Sequence, residues 1–224
     1  IRDRAYNILP EFSKLRNITG ATITSKQYGS KGSAAALLAH LYAWKGSVAE
    51  LYGYSNIDAK AAYEKSVEYA THLIKGDVGN YSLVENPEAL CQLLSNSSAN
   101  NPEEIFSIAY DKGRDNEAIT KNTVATFFVT WPVNELKLEG DLAQADYRLH
   151  RSTVNKLYPD AGDLRRTAFF YKQDEAHMAG GTDYAVPYKF RKAIYNIDQS
   201  SEAGKSFLSL DANYVYWRLA DIYL

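Results

Sequence analysis

The sequence predicts a mainly α protein built from helix pairs with long loops and a few short β-strands. Two observations carry this. Apolar residues recur at the helical period across 31–45 and again across 58–75. Strict alternation, the mark of a strand, is clear only across 104–110. Composition sets the frame. Of 224 residues, 46% are apolar and 23% charged, which suits a globular chain with a sizeable core. The net charge is -2, with no run of five like charges, so no basic stripe is available for a nucleic acid. No stretch approaches the ~20 apolar residues that span a bilayer. The single cysteine, Cys91, excludes both a disulfide framework and a cysteine-rich zinc site.

Taken in order, residues 2–14 read as a short helix. Ala5, Ile8, Leu9 and Phe12 fall at i, i+3, i+4 and i+7, and Pro10 bends or ends it. Residues 16–32, rich in Thr, Ser and Gly, read as a loop. The strongest helix is 31–45. Ala34, Leu37, Leu38, Leu41 and Tyr42 line one face, while Ala35, Ala36 and Ala39 add propensity and permit close approach of another helix. A loop, 46–57, carries Tyr52 and Tyr54. The next helix covers 58–75: Asp58 serves as N-cap, Lys75 complements the negative end, and Gly76 supplies the left-handed stop. Its apolar stripe is Ala59, Ala62, Tyr63, Val67, Ala70, Leu73 and Ile74. Two such helices joined by a loop form an antiparallel hairpin of the tetratricopeptide kind, with a longer loop than a standard repeat.

Further along, 86–94 reads as a short helix and 95–102 as a polar loop. Strands are expected at 104–110, by alternation, and at 123–130, by β propensity. A charged loop, 111–122, joins them. Residues 167–171 read as another short strand and 172–186 as loop. Asp211 is positioned to cap a final helix through Val215, Leu219 and Ile222.

The sequence carries no recognisable catalytic motif. The four histidines (His40, His72, His150, His177) are never four residues apart, so no helical metal pair exists. There is no nucleophile elbow of the G-x-S-x-G type. Gly204-Lys205-Ser206 matches the end of a phosphate loop, but the first glycine of that motif falls at Gln199. Cys91 reads as a buried structural thiol, and no carboxylate pair stands out. Neither a metal nor a cofactor is implied. The outlier is tyrosine, at 18 residues beside 3 Trp and 8 Phe. Such side chains offer a flat apolar face with a polar tip, and most are expected between helices. Trp44 and Trp217, on predicted helices, are read as core.

Four segments in order resemble the SusD/RagB family of outer-membrane nutrient-binding lipoproteins. They are Gly29-Ser30-Lys31-Gly32 running into 34–42, the helix ending Ile74-Lys75-Gly76 before Tyr81-Ser82-Leu83, the strand Glu103-Glu104-Ile105-Phe106-Ser107-Ile108, and Tyr216-Trp217-Arg218-Leu219-Ala220-Asp221-Ile222-Tyr223-Leu224. Asp163-Leu164-Arg165 and Lys189-Phe190 also match short family motifs. The resemblance covers most of the chain, yet the family's N-terminal lipidated cysteine and a later helix segment are missing. The expectation is one domain, 1–224, incomplete at both ends, with a helix-pair scaffold over 1–100. A loop-rich ligand side and the start of a further helix pair would occupy 101–224.

The resemblance implies a non-enzymatic, surface-exposed outer-membrane lipoprotein that captures a glycan and hands it to a TonB-dependent transporter. It would hold the membrane only through a lipid anchor absent from this chain. Sugars stack their C–H faces on aromatic rings and fix their hydroxyls by hydrogen bonds, so exposed Trp or Tyr on loops beside polar residues are the candidates. Trp131 leads, with Asn134 and Glu135 nearby. Tyr110, Asp111 and Arg114 open the charged loop, and Tyr52 and Tyr54 lie in the helix-pair loop. A protein–protein scaffold using the helix-pair groove is the alternative. An enzyme with a spatial carboxylate pair is the third reading.

Overall fold

The computed structural model describes residues 2–108, 124–138, 145, 147–174, 183–197 and 204–224. Helices are α1 (Arg2–Ile8), α2 (Lys31–Tyr52), α3 (Ala59–Ile74), α4 (Pro87–Leu94), α5 (Arg151–Leu157), α6 (Leu164–Phe169) and α7 (Leu219–Tyr223). Strands are β1 (Glu104–Ile108), β2 (Leu149–His150), β3 (Tyr184–Ala185), β4 (Ala193–Ile197), β5 (Lys205–Leu210) and β6 (Tyr214–Arg218). The protein is mainly α, and among the described residues the strands pair two at a time: β1 with β6, β2 with β3, β4 with β5.

The chain folds into two compact units. One comprises Ile1–Leu83, Asn100–Ile108 and Val215–Leu224; the other comprises Val84–Ala99 and Ala109–Tyr214. Strand β6 returns to pair with β1, so the chain's last residues join the helix-pair unit.

In the first unit α2 and α3 pack antiparallel. Tyr63 donates its hydroxyl proton to Glu50 at 2.8 Å near one end of the hairpin, and Ser66 Oγ donates to the Ala39 carbonyl at 2.7 Å midway. Toward the other end, Leu73 packs with Ala35 and Ala36. Helix α2 starts on a reciprocal cap: Ser33 N donates to Ser30 Oγ at 3.2 Å and Ser30 N donates to Ser33 Oγ at 2.8 Å. Asp58 caps α3 as expected, accepting from Ala61 N at 3.0 Å. Gly76, at φ +81°, follows its end.

Two expectations for α2 are corrected. The helix does not stop at Lys45. It runs through Gly46, over which the Tyr63 ring packs, and ends at Gly53 with φ +66°. Tyr52 is therefore helical, and only Tyr54 lies in the connection. Nor do Leu37 and Leu41 face the core; they are 44% and 40% exposed, while Ala35, Ala36 and Leu38 are buried. Helix α2 is apolar nearly all round, so periodicity alone selects no face, and close packing on α3 selects the alanine side. On α3, Val67 and Ile74 are likewise exposed, and Tyr69 takes a core position.

Other corrections concern short elements. Residues Val124–Phe128 form a 3-10 turn, not a strand. Residues 167–169 belong to α6, with Phe170 making an isolated bridge to Pro187. Asp211 caps no helix; it accepts from Ser97 N at 3.2 Å and pairs with Lys192 at 2.6 Å, β6 occupies the first part of the expected helix, and only Leu219–Tyr223 is helical, as α7. Trp217 is thus on a strand, half-buried against the core, whereas Trp44 is 65% exposed. No described helix is long and apolar enough to cross a membrane.

Candidate functional site

The second unit brings three aromatic rings together. Phe169 carbonyl accepts from Tyr188 N at 2.6 Å and Val186 carbonyl accepts from Tyr171 N at 2.9 Å. This backbone pairing sets Tyr171 and Tyr188 side by side, ring centroids 5.3 Å apart. Trp131 meets Tyr171 edge to face at 5.5 Å and 84°, a favoured aromatic geometry. All three are half-buried. Trp131 stands on a tight turn whose Val133 is buried and whose Asn134 N donates to the Thr130 carbonyl at 3.0 Å. The Trp131–Pro132 peptide is cis.

Polar groups flank the cluster. The Arg191 guanidinium lies 4.4 Å from the Tyr188 ring centre and pairs with Glu88. That pairing holds the Glu88 carboxyl below its ordinary range. The Lys172 ammonium lies 5.6 Å from the Tyr171 ring centre, and Lys172 itself adopts φ +46°, rare for a side-chain-bearing residue.

The sequence-predicted candidates fare differently. Trp131 is in the cluster. Asn134 is 2% exposed and its Oδ1 accepts from Leu136 N at 3.1 Å, so it braces the turn beneath Trp131 and does not face solvent. Glu135 pairs with Lys205, the lysine of the incomplete phosphate-loop motif. Tyr52 and Tyr54, rings 6.0 Å apart, are exposed on the first unit. Tyr110, Asp111 and Arg114 lie outside the described residues. Tyr171 and Tyr188 were missed, because their partnership comes from backbone pairing across a long separation. Cys91 is fully buried, its thiol pushed up chiefly by that burial.

Two buried acids bear on the enzyme reading. Glu103 faces Arg218 at 3.5 Å. Burial pushes the Glu104 carboxyl up, with the Ser107 hydroxyl and Lys26 ammonium pulling it back in part. Each acid therefore has its own counter-charge, and neither lines the cavities discussed below. Because Glu104 in the native state holds its proton to higher pH than in the unfolded state, its contribution to stability falls as pH rises through that window. The raised value already includes the pull of Lys26. Glu104→Gln is expected to raise the melting temperature at pH 7 and to lose that advantage as pH falls below the ordinary carboxylate range. A melting-temperature difference that does not change with pH refutes this.

No known protein family, no curated protein and no solved structure matches this chain.

Proposed function

We propose that this protein is a non-catalytic glycan- or nutrient-binding protein of the bacterial outer-membrane surface, handing its ligand to a TonB-dependent transporter. The observation that carries the reading is the loop-borne cluster Trp131–Tyr171–Tyr188. Half-buried rings held by backbone pairing present flat faces at little conformational cost, which suits a sugar's C–H face. The α2–α3 hairpin is the tetratricopeptide-like scaffold of this reading, and the four family-like segments support it. Isothermal titration against a panel of oligosaccharides tests it. Trp131→Ala is expected to weaken the best ligand at least about tenfold, as loss of an aromatic anchor does, with the sugar recovered uncut by chromatography. Shortened products, or an unchanged affinity, would sink it.

A second reading, a protein-interaction scaffold, is favoured by one feature. Leu37, Leu41, Trp44, Val48 and Leu51 follow the four-three spacing of a helix-pairing seam along α2, and four of the five are exposed. They continue into a groove with Phe106, Ile108, Tyr216 and Trp217, where Trp217 Nε1 donates to His40 Nδ1 at 3.3 Å. Trp44→Asp separates the two readings: under glycan capture it leaves sugar affinity intact, and under the scaffold reading it abolishes capture of a helical peptide.

A further inference from the structure

Helix α2 carries an apolar seam on the side that α3 leaves open. Leu37, Leu41, Trp44, Val48 and Leu51 repeat at the spacing with which one helix receives another. The seam covers about 21 Å at about 1.5 Å per residue, or about four turns. Helix α3 does not cover it, because α2 turns its alanine side to α3. Two half-open cavities flank its middle, of about 380 Å³ and about 320 Å³. Phe106 and Trp217 wall the first, Ile57 walls the second, and Leu41 and Trp44 line both.

The borders of the seam are one-sided in charge. With Leu37, Trp44 and Leu51 at d and with Leu41 and Val48 at a, the flanking positions are His40 and Ser47 on one side. On the other they are Leu38, Lys45 and Tyr52. Trp217 Nε1 donates to His40 Nδ1 at 3.3 Å, so the His40 proton sits on Nε2, a second donor at this border. Lys45 makes no ion pair among the described residues. Glu50, the one acid of α2, is turned to α3, where it accepts from the Tyr63 hydroxyl at 2.8 Å. Both borders therefore present donors, and neither presents an acid.

A second copy of the seam is a poor occupant. Full overlap, parallel or antiparallel, sets Trp44 level with its own copy, and two indoles in one layer crowd the usual 8–10 Å between helix axes. The antiparallel pair also sets Lys45 beside Lys45, which repels. A different helix avoids both costs. A small residue opposite Trp44 opens a hole for the indole, and acids along the edges accept from Lys45 and His40.

We propose that the α2 seam docks an amphipathic helix of another protein, about four turns long. Its apolar residues follow the same spacing, a small residue faces Trp44, and acidic residues run along both borders. The proposal rests on the scaffold reading and names its partner; it does not involve the rings around Trp131, which belong to the second unit.

Fluorescence anisotropy of the full chain with two labelled synthetic helices, at low ionic strength, tests this. Both helices carry leucines at the seam spacing and a central alanine; one has glutamates along its borders and the other lysines. The glutamate helix is expected to bind about tenfold more tightly. One exposed charge pair contributes up to about fivefold, and here attraction replaces repulsion at several positions. Added salt is expected to shrink the preference. Lys45→Glu is expected to erase or reverse it while oligosaccharide affinity stays unchanged. Tryptophan in place of the central alanine of the glutamate helix is expected to weaken binding at least about tenfold, a readout that needs no variant of the protein. Equal binding of the two helices, or a preference that survives Lys45→Glu, overturns the acidic partner and leaves the scaffold reading standing. Binding of neither overturns both. A dimer of the chain alone in sedimentation, dissolved by Trp44→Asp, assigns the seam to a second copy and overturns the proposal. Pelleting with phosphatidylcholine vesicles that Trp44→Asp abolishes overturns it as well.

Discussion

Leu73→Ala is expected to lower the unfolding free energy by about 2–5 kcal/mol, the range for a buried leucine truncated to alanine. Leu73 is fully buried and packs with Ala35, Ala36, Val78 and Ile105. Its neighbours on α2 are alanines, which have no length with which to close the void, so the cost belongs in the upper part of that range. Leu37→Ala is the informative partner. Sequence periodicity ranks the two leucines alike, but Leu37 is 44% exposed, and its truncation is expected to cost no more than about 0.5 kcal/mol, as at an ordinary surface position. Urea denaturation of both variants decides the matter through the shift in midpoint at unchanged slope. Equal losses would mean that the alanine side of α2 is not the buried one.

Gly32→Ala carries the second large effect, and its sign opposes helix propensity. Alanine is the better helix former by about 1 kcal/mol. At Gly32, however, an added Cβ would lie 2.1 Å from Tyr81 Oη and 2.9 Å from its Cζ. The ring cannot simply withdraw, because on another side it meets Gly79, where a Cβ would already be 3.0 Å away. The variant is expected to lose about 1–3 kcal/mol, the usual cost of overpacking. Tyr81→Phe removes the nearest atom, so it is expected to recover part of that loss in the double variant. The corresponding double-mutant cycle should give a coupling of about 0.5 kcal/mol or more. A Gly32→Ala protein as stable as the parent, or no coupling with Tyr81→Phe, would show that the ring has room to move.

The helix ends show how much the sequence tells locally. Asp58 and Gly76 were legible because a cap is a contact between near neighbours. The helix of 86–94 appears as Pro87–Leu94, and the strand of 104–110 appears as Glu104–Ile108 over its described part. The end of α2 was not legible. A glycine in a helix ordinarily weakens it, and Gly46 is accommodated only because Tyr63, seventeen positions on, covers it. The stretch at 124–128 failed differently: its β-rich composition is a weak local preference that context overrides, and it forms a 3-10 turn.

The candidate site divides the same way. Trp131 was found because aromatic character beside a turn is visible in a few residues. Its companions Tyr171 and Tyr188 were not, since Tyr171 N reaches Val186 and Tyr188 N reaches Phe169 only after the chain has folded back. The hairpin of β4 and β5 was missed too. Its pairing runs from Ala193–Leu210 to Ile197–Lys205, with a register shift after Ile194 that blurs the alternation.

By itself, then, the sequence determined the helix hairpin, the caps of α3 and the mainly α character, because these follow from contacts within a few residues and from side-chain chemistry. Tertiary structure decided which side of α2 is buried, that the chain's last strand closes the first unit against β1, and which rings gather around Trp131. Those outcomes depend on close packing and backbone pairing between distant segments, and no local pattern encodes the partner.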